Sequence, residues 1–266
     1  MLLGACHPRL ADQPIGDTVG NWTISSGSVV PLGTLADRIA QTYWTAANKL
    51  LPTDSLTKYI SAFRLYSDGP EDDLGGLTLI DSFYWKLELD TADFNLNRTD
   101  SAYVLEYHHT LIHEFGHLLT LNASQITATT DEYQDDTKGY LTSEGYAKPN
   151  SYLGLFIKRF WPNSLLYEWD EADLVKNEKK RLKRLFQFYL KYANQFANDY
   201  AAESPEEDIA ESWTYFVLND KPGTDLIMKE KVRFFYDFPE LLAIRDSIRA
   251  KLPFIPQNYL DQFERF

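Results

Sequence analysis

Residues 106–119 read EYHHTLIHEFGHLL, and this stretch constrains the fold more than any other because it sets four of the chain's five histidines inside an apolar helical pattern. Leu111, Ile112, Phe115, Leu118 and Leu119 leave little polar surface, so the expected helix, over about residues 101–121, is mostly buried. Within it, His113-Glu114-Phe115-Gly116-His117 puts two imidazoles at i and i+4, on one face and about 5–6 Å apart at Cβ. Buried imidazoles need partners. Hydrogen bonds within the core are one solution and a shared metal ion is the other. In the second case Glu114, beside the first imidazole, is placed to act as a base on water at the ion. A shuffled chain of this composition shows the spacing in roughly one case in two hundred, which favours the metal. His109 continues the same face, but three imidazoles spread over two turns, about 12 Å, cannot meet one tetrahedral ion. His108 and His109 are therefore read as non-ligands with structural or surface roles.

A catalytic zinc site has three protein ligands and one open position. The local extension His-x-x-Gly-x-x-His fails, because Thr120 and Ala123 stand where its glycine and third histidine belong. Asp131, Glu132, Asp135, Asp136 and Glu144 are near in sequence but lie in a polar, Thr-rich stretch that reads as a loop. The segment DYAAESPEEDIAESWTYFV, residues 199–217, is a better source. Ser204 as N-cap, Pro205 at the first helical position and Glu207 at the capping-box position start a helix there. Glu207 and Glu211 share a face, which suits a metal ligand and a carboxylate that holds a ligand histidine. Acidic residues in a first turn also meet the helix dipole, so a capping role stays open to Glu207. The apolar positions Ile209, Ala210, Trp213, Phe216 and Val217 put Glu206 nearer the centre of the buried face, so periodicity by itself selects Glu206 over Glu207.

Around these two helices, 266 residues at 44% hydrophobic are long enough for one domain with two lobes, expected over residues 33–266. The 17 Tyr, 16 Phe and 6 Trp supply a core and a groove suited to peptide or glycan contact. A formal charge of −13 repels phosphate backbones, which excludes a nucleic-acid partner. The basic run KNEKKRLKR, Lys176 to Arg184, reads as a solvated helix face. Residues 7–32 show neither helical nor alternating periodicity and read as a tether within a start region, residues 1–32. Leu35, Ile39, Tyr43, Ala46 and Leu50 then recur at helical spacing up to Pro52. YISAFRLYSDG and LTLIDSFYWKLELD read as two strands joined by an acidic loop. From Ser101 onward the pattern is helical, with a long helix expected from about Glu171 to Ala201, another from Pro205, and three further segments. A few strands followed by many helices gives an α+β fold, predominantly helical.

The single cysteine excludes an internal disulfide. Leu3-Gly4-Ala5-Cys6 resembles the lipobox of bacterial lipoproteins, although only five residues precede Cys6. No apolar stretch is long enough to span a bilayer, so membrane attachment is expected only through a lipid on Cys6.

HEFGH on one helix and a glutamate on a later one resemble the gluzincin class of zincins. More narrowly, Glu207-Asp208-Ile209-Ala210-Glu211 is similar to the Glu-x-x-Ala-Glu helix of lethal-factor-type metalloproteases and of zinc-binding metallopeptidase lipoproteins associated with substrate import. Tyr200 stands seven residues before Glu207, where the lethal-factor type has an assisting tyrosine; packing at a helix end is the alternative role. The later segment IMKEKVRFFYDFPELLAIRDSI also resembles the end of those lipoproteins. The resemblance, over about residues 100–250, implies a zincin-like fold in which His113, His117 and Glu207 hold Zn²⁺. It further implies that Glu114 is the general base, that Tyr200 assists the oxyanion and that Glu211 orients a ligand histidine. The implied substrate is a peptide or protein that pairs with an edge strand, expected in the run Ser82 to Leu89. An exported envelope lipoprotein on the periplasmic or surface side of the outer membrane, partnered with a nutrient importer, is the implied setting. Two other functions keep parts of this picture: a zinc hydrolase of cell-wall or glycan-derived amides, and a non-catalytic lipoprotein that aids nutrient capture.

Overall fold

The computed structural model describes residues 16–69, 74–92, 94–257 and 259. Cys6 and its lipobox-like surroundings lie outside these residues. The chain begins with β1 (Asp17–Ser25) and β2 (Ser28–Val29), followed by α1 (Ala36–Leu50), α2 (Thr53–Tyr59), β3 (Ile60–Ser67), β4 (Gly75–Leu79) and β5 (Trp85–Asp90). The helix α3 (Ser101–Leu121) leads to three short strands, β6 (Ile126–Thr127), β7 (Leu141–Thr142) and β8 (Gly145–Ala147). The remainder is helical: α4 (Tyr152–Phe160), α5 (Asn163–Asp173), α6 (Glu178–Lys191), α7 (Pro205–Leu218), α8 (Ile227–Phe234) and α9 (Pro239–Arg249). The α+β class, with a small sheet toward the N-terminus and a large helical part, is what the sequence led us to expect; the parallel pair within that sheet and a second, antiparallel sheet of order β6-β8-β7 were not foreseen.

The larger sheet has the order β2-β1-β3-β5-β4, with β3 and β5 parallel and the other pairs antiparallel. Trp22, Phe63 and Leu87 are in register across β1, β3 and β5 and are buried. The Trp44 ring of α1 packs 5.5 Å from that of Phe63, which fixes the helix to this face. Intervening positions carry Arg64 and Glu88, a buried pair at 2.9 Å, with Thr78 also donating to Glu88 at 2.7 Å. Pairing the charges compensates for taking both out of water.

Four local expectations are corrected. Residues 17–29 are not tether but two sheet strands, because Trp22, Ile24 and Val29 turn inward and the turn at Ser26-Gly27 (φ 50° and 73°) folds the chain back. In α1 the inward face is Ala40, Tyr43, Trp44, Ala47 and Leu50, whereas Leu35 is 90% exposed and Ile39 also faces outward. The run from Leu77 to Asp90 is not one strand: Asp81 Oδ1 accepts from the Phe83 and Tyr84 amides, both at 2.8 Å, and this turn splits it into β4 and β5. The expected substrate strand, Ser82 to Leu89, is therefore partly turn and partly an interior strand; the edges are β2 and β4, and β4 is the one beside α3. Finally, the long helix from Glu171 is broken. Asn177 caps a new helix by accepting from the Lys180 amide, and beyond α6 the chain runs into two 3₁₀ turns, Ala193–Gln195 and Tyr200–Ala202.

The helix α3 lies between the two parts, against β4 on one side and α7 on the other. A Cβ on Gly75 would stand 3.1 Å from Thr110 Cγ2, so this glycine lets the edge strand close on α3. α7 is buried at every position from Glu207 to Leu218 and packs against α3, α4, α8, α9 and the Tyr200–Ala202 turn.

Candidate metal centre

The α3–α7 crossing brings together the histidines and glutamates of the centre. Asp100 caps α3 through the Tyr103 amide, and Ser204 caps α7 through the Glu207 amide at 3.1 Å, so both helices start where their sequences specify. A Cβ on Gly116 would be 3.0 Å from Trp213 Cδ1 and 3.2 Å from Ala210 Cα. The glycine inside HEFGH and the alanine between the two glutamates therefore let the helix backbones come close. Glu207 reaches His113 and His117, and Glu211 reaches His109 and His113. The rows thus run in opposite directions, and residues four apart on one helix meet residues four apart on the other.

His113 Nε2, His117 Nε2 and Glu207 Oε2 form a triangle with sides of 3.0, 3.1 and 3.2 Å. A tetrahedral ion with bonds of about 2.0–2.1 Å needs ligand atoms about 3.3 Å apart, so the donor set fits zinc. Hydrogen bonding leads the same way. His113 Nδ1 is 2.8 Å from Glu211 Oε1, and since a carboxylate only accepts, Nδ1 carries the proton. In the neutral ring Nε2 then presents a lone pair toward the Glu207 carboxylate and the second imidazole. Those atoms repel one another unless a cation, a proton or a metal, lies among them. His117 Nδ1 is buried without a hydrogen-bond partner among the described residues.

The two carboxylates and the imidazoles set one another's charge. Burial disfavours the imidazolium of His113, yet the hydrogen bonds and charges of Glu207 and Glu211 override it and raise its pKa well above the ordinary 6.5. His117 is raised also, with burial opposing and Glu207 prevailing. For Glu207, burial pushes upward but His117 and His113 hold the carboxyl well below its usual range. Glu211 stays anionic in the same way, against burial, through His109 and His113.

Tyr200 packs its ring 5.5 Å from that of His113. Although 45% of the residue is exposed, burial of its hydroxyl and then the charges of Glu207 and Glu114 push its pKa well above 10, so it stays a hydrogen-bond donor. Glu114 is buried, and its charge acts on both Tyr200 and His117. Glu206, which periodicity favoured, points elsewhere: its Oε2 accepts from the Tyr140 hydroxyl at 3.3 Å. The reason is that α7 is enclosed on all sides, so it has no single apolar face for periodicity to find.

His109 has a structural role at the centre. Its Nε2 lies 3.1 Å from Glu211 Oε1, its Nδ1 lies 3.1 Å from the Tyr259 hydroxyl, and Asn198 donates to Glu211 Oε2 at 2.7 Å. These contacts fix the carboxylate that fixes His113. Exclusion of His109 as a ligand rested on one ion; its match to a second carboxylate four residues after Glu207 was the available signal, whereas nothing local marked Asn198 or Tyr259. His108 stands apart, its pKa lowered to about 4 by burial. Asp131 and Asp135 pair with Lys138 instead of joining the centre.

Among the described residues two groups could hold an ion, His113/His117/Glu207 and His109/His113/Glu211. The second is accounted for by the directional hydrogen bonds just described. No family model, no curated protein and no solved structure matches the chain.

Proposed function

We propose that the protein is a zinc-dependent metallopeptidase of gluzincin type, with His113, His117 and Glu207 as the metal ligands. The observation that carries this reading is the triangle of 3.0–3.2 Å among His113 Nε2, His117 Nε2 and Glu207 Oε2, with the His113 tautomer set by Glu211. Zinc bound there supplies Lewis acidity toward a carbonyl oxygen and toward water. Glu114 takes the proton from the attacking water and passes it to the departing amine. Tyr200, kept protonated, donates a hydrogen bond to the oxyanion as charge develops, when the interaction is worth most. Glu211 keeps His113 in the tautomer that leaves Nε2 free for metal. An extended peptide adds to the free edge of β4, which lies against α3.

The same reading makes it an exported lipoprotein of the bacterial envelope beside a nutrient importer, with support from Leu3-Gly4-Ala5-Cys6. No helix among the described residues is long and apolar enough to cross a membrane. Glu114→Gln tests the chemistry: it retains zinc while peptide hydrolysis falls by about 10²–10⁴. Undiminished hydrolysis by this variant would remove Glu114 from the mechanism. Screening peptide libraries beside cell-wall fragments identifies the substrate class.

A further inference from the structure

The helix α6 has an outer face that its packing does not use. Leu185 and Phe188 point inward, where Phe188 stacks on Trp161 at 6.2 Å and meets Phe196. Leu182, Phe186 and Leu190, at i, i+4 and i+8, form a row along the outside with 45%, 48% and 59% of their surfaces exposed. Lys179, Lys180, Lys183 and Arg184 are exposed beside this row and have no ion-pair partner among the described residues. Arg181 and Lys191 pair with Asp173 and Glu168 of α5.

Charge is distributed unevenly to match. Residues 176–191 hold seven Lys or Arg and one Glu, a net of +6 in a chain of −13, which leaves −19 for the remainder. Solubility explains exposed lysines but not three large apolar side chains in line with them. A nucleic acid would use the cations and leave the apolar row in water, while the remaining −19 would repel it. An anionic bilayer uses both, since cations meet phosphate headgroups and the apolar row enters the boundary with the acyl chains.

We propose that α6 is a membrane-docking element that lies along the surface of a bilayer rich in anionic phospholipid, with Leu182, Phe186 and Leu190 inserted and Lys179, Lys180, Lys183 and Arg184 at the headgroups. The contact is separate from any lipid on Cys6 and does not depend on metal at the α3–α7 crossing. Because α6 also packs against the Tyr200–Ala202 turn, docking seats the candidate metal centre close to the bilayer.

Flotation of the unacylated full-length chain with vesicles tests this, comparing phosphatidylcholine alone with mixtures containing phosphatidylglycerol. The expected result is binding to the anionic vesicles only, weakened about tenfold or more by Lys179→Glu with Lys183→Glu, and likewise by Leu182→Ser, Phe186→Ser and Leu190→Ser together. All five positions are exposed, and an unchanged melting temperature shows that the fold survives. Failure to bind anionic vesicles, equal binding to both compositions, or variants that bind like the parent overturns the proposal. So does self-association in sedimentation that the serine substitutions abolish, because the row is then covered by a second copy of the chain.

Discussion

Glu206 and Glu207 are adjacent, yet the account gives them opposite characters, and Glu206→Gln exposes the difference. Burial, reinforced by the charge of Glu144, raises the Glu206 pKa from the ordinary 4.5 to about 7. The folded state therefore binds a proton more tightly than the unfolded chain does. Below about pH 4.5 both states are protonated and folding is unaffected. As pH rises toward 7 the unfolded chain ionises first and stability is lost; above 7 the loss is complete. The ceiling is the shift times 1.36 kcal/mol per unit, about 3 kcal/mol, and partial exposure of Glu206 brings the true value below it. Glutamine has the same shape and no charge to ionise. Glu206→Gln is thus expected to match the parent in denaturant unfolding at pH 4.5, to exceed it by up to about 3 kcal/mol at pH 8, and to keep its zinc. An equal effect at both pH values would refute the burial argument, and loss of zinc would make Glu206 the ligand.

Other perturbations reach the crossing from different sides. His109→Leu removes one donor from Glu211, so zinc dissociation measured by chelator competition should rise about 10–100-fold, and an unchanged constant would leave His109 without a positioning role. Gly116→Leu forces side-chain atoms against Trp213 and Ala210; calorimetry should show a loss of about 1–3 kcal/mol together with weaker zinc binding, and tolerance of leucine would contradict the close helix approach. Lys231 is fully buried with its Nζ 2.6 Å from Asp208 Oδ2. Lys231→Met strands that carboxylate and is expected to cost about 3–5 kcal/mol in urea unfolding, much of it recovered by adding Asp208→Leu; no recovery would mean that packing of the lysine stem, not charge, is what matters.

The parts of this centre that were legible in the sequence are those set by local rules. HEFGH spacing places two imidazoles on one helical face wherever the helix lies, and Ser204-Pro205 marks a helix start by capping chemistry alone. Selecting Glu207 over Glu206 was different, since it depends on which neighbours surround α7, and a helix enclosed on all sides gives periodicity nothing to report. The Glu207 assignment came from resemblance instead. His109, Asn198 and Tyr259 join the centre through contacts 102, 13 and 150 residues apart in sequence, which spacing along one segment cannot encode. Among the strands, Trp22 and Ile24 alternate inward over too short a run to stand out from their Gly- and Ser-rich surroundings. The turn at Asp81 was hidden inside an apparently continuous β-type run because a single side chain makes it.

Native mass spectrometry of the purified chain decides whether the α3–α7 crossing is, as proposed, a zinc site with one glutamate ligand. The account predicts one zinc per folded chain, kept by Glu114→Gln and Glu206→Gln and lost from Glu207→Ala. A folded chain without stoichiometric zinc, or a Glu207→Ala variant that holds zinc as tightly as the parent, would contradict it.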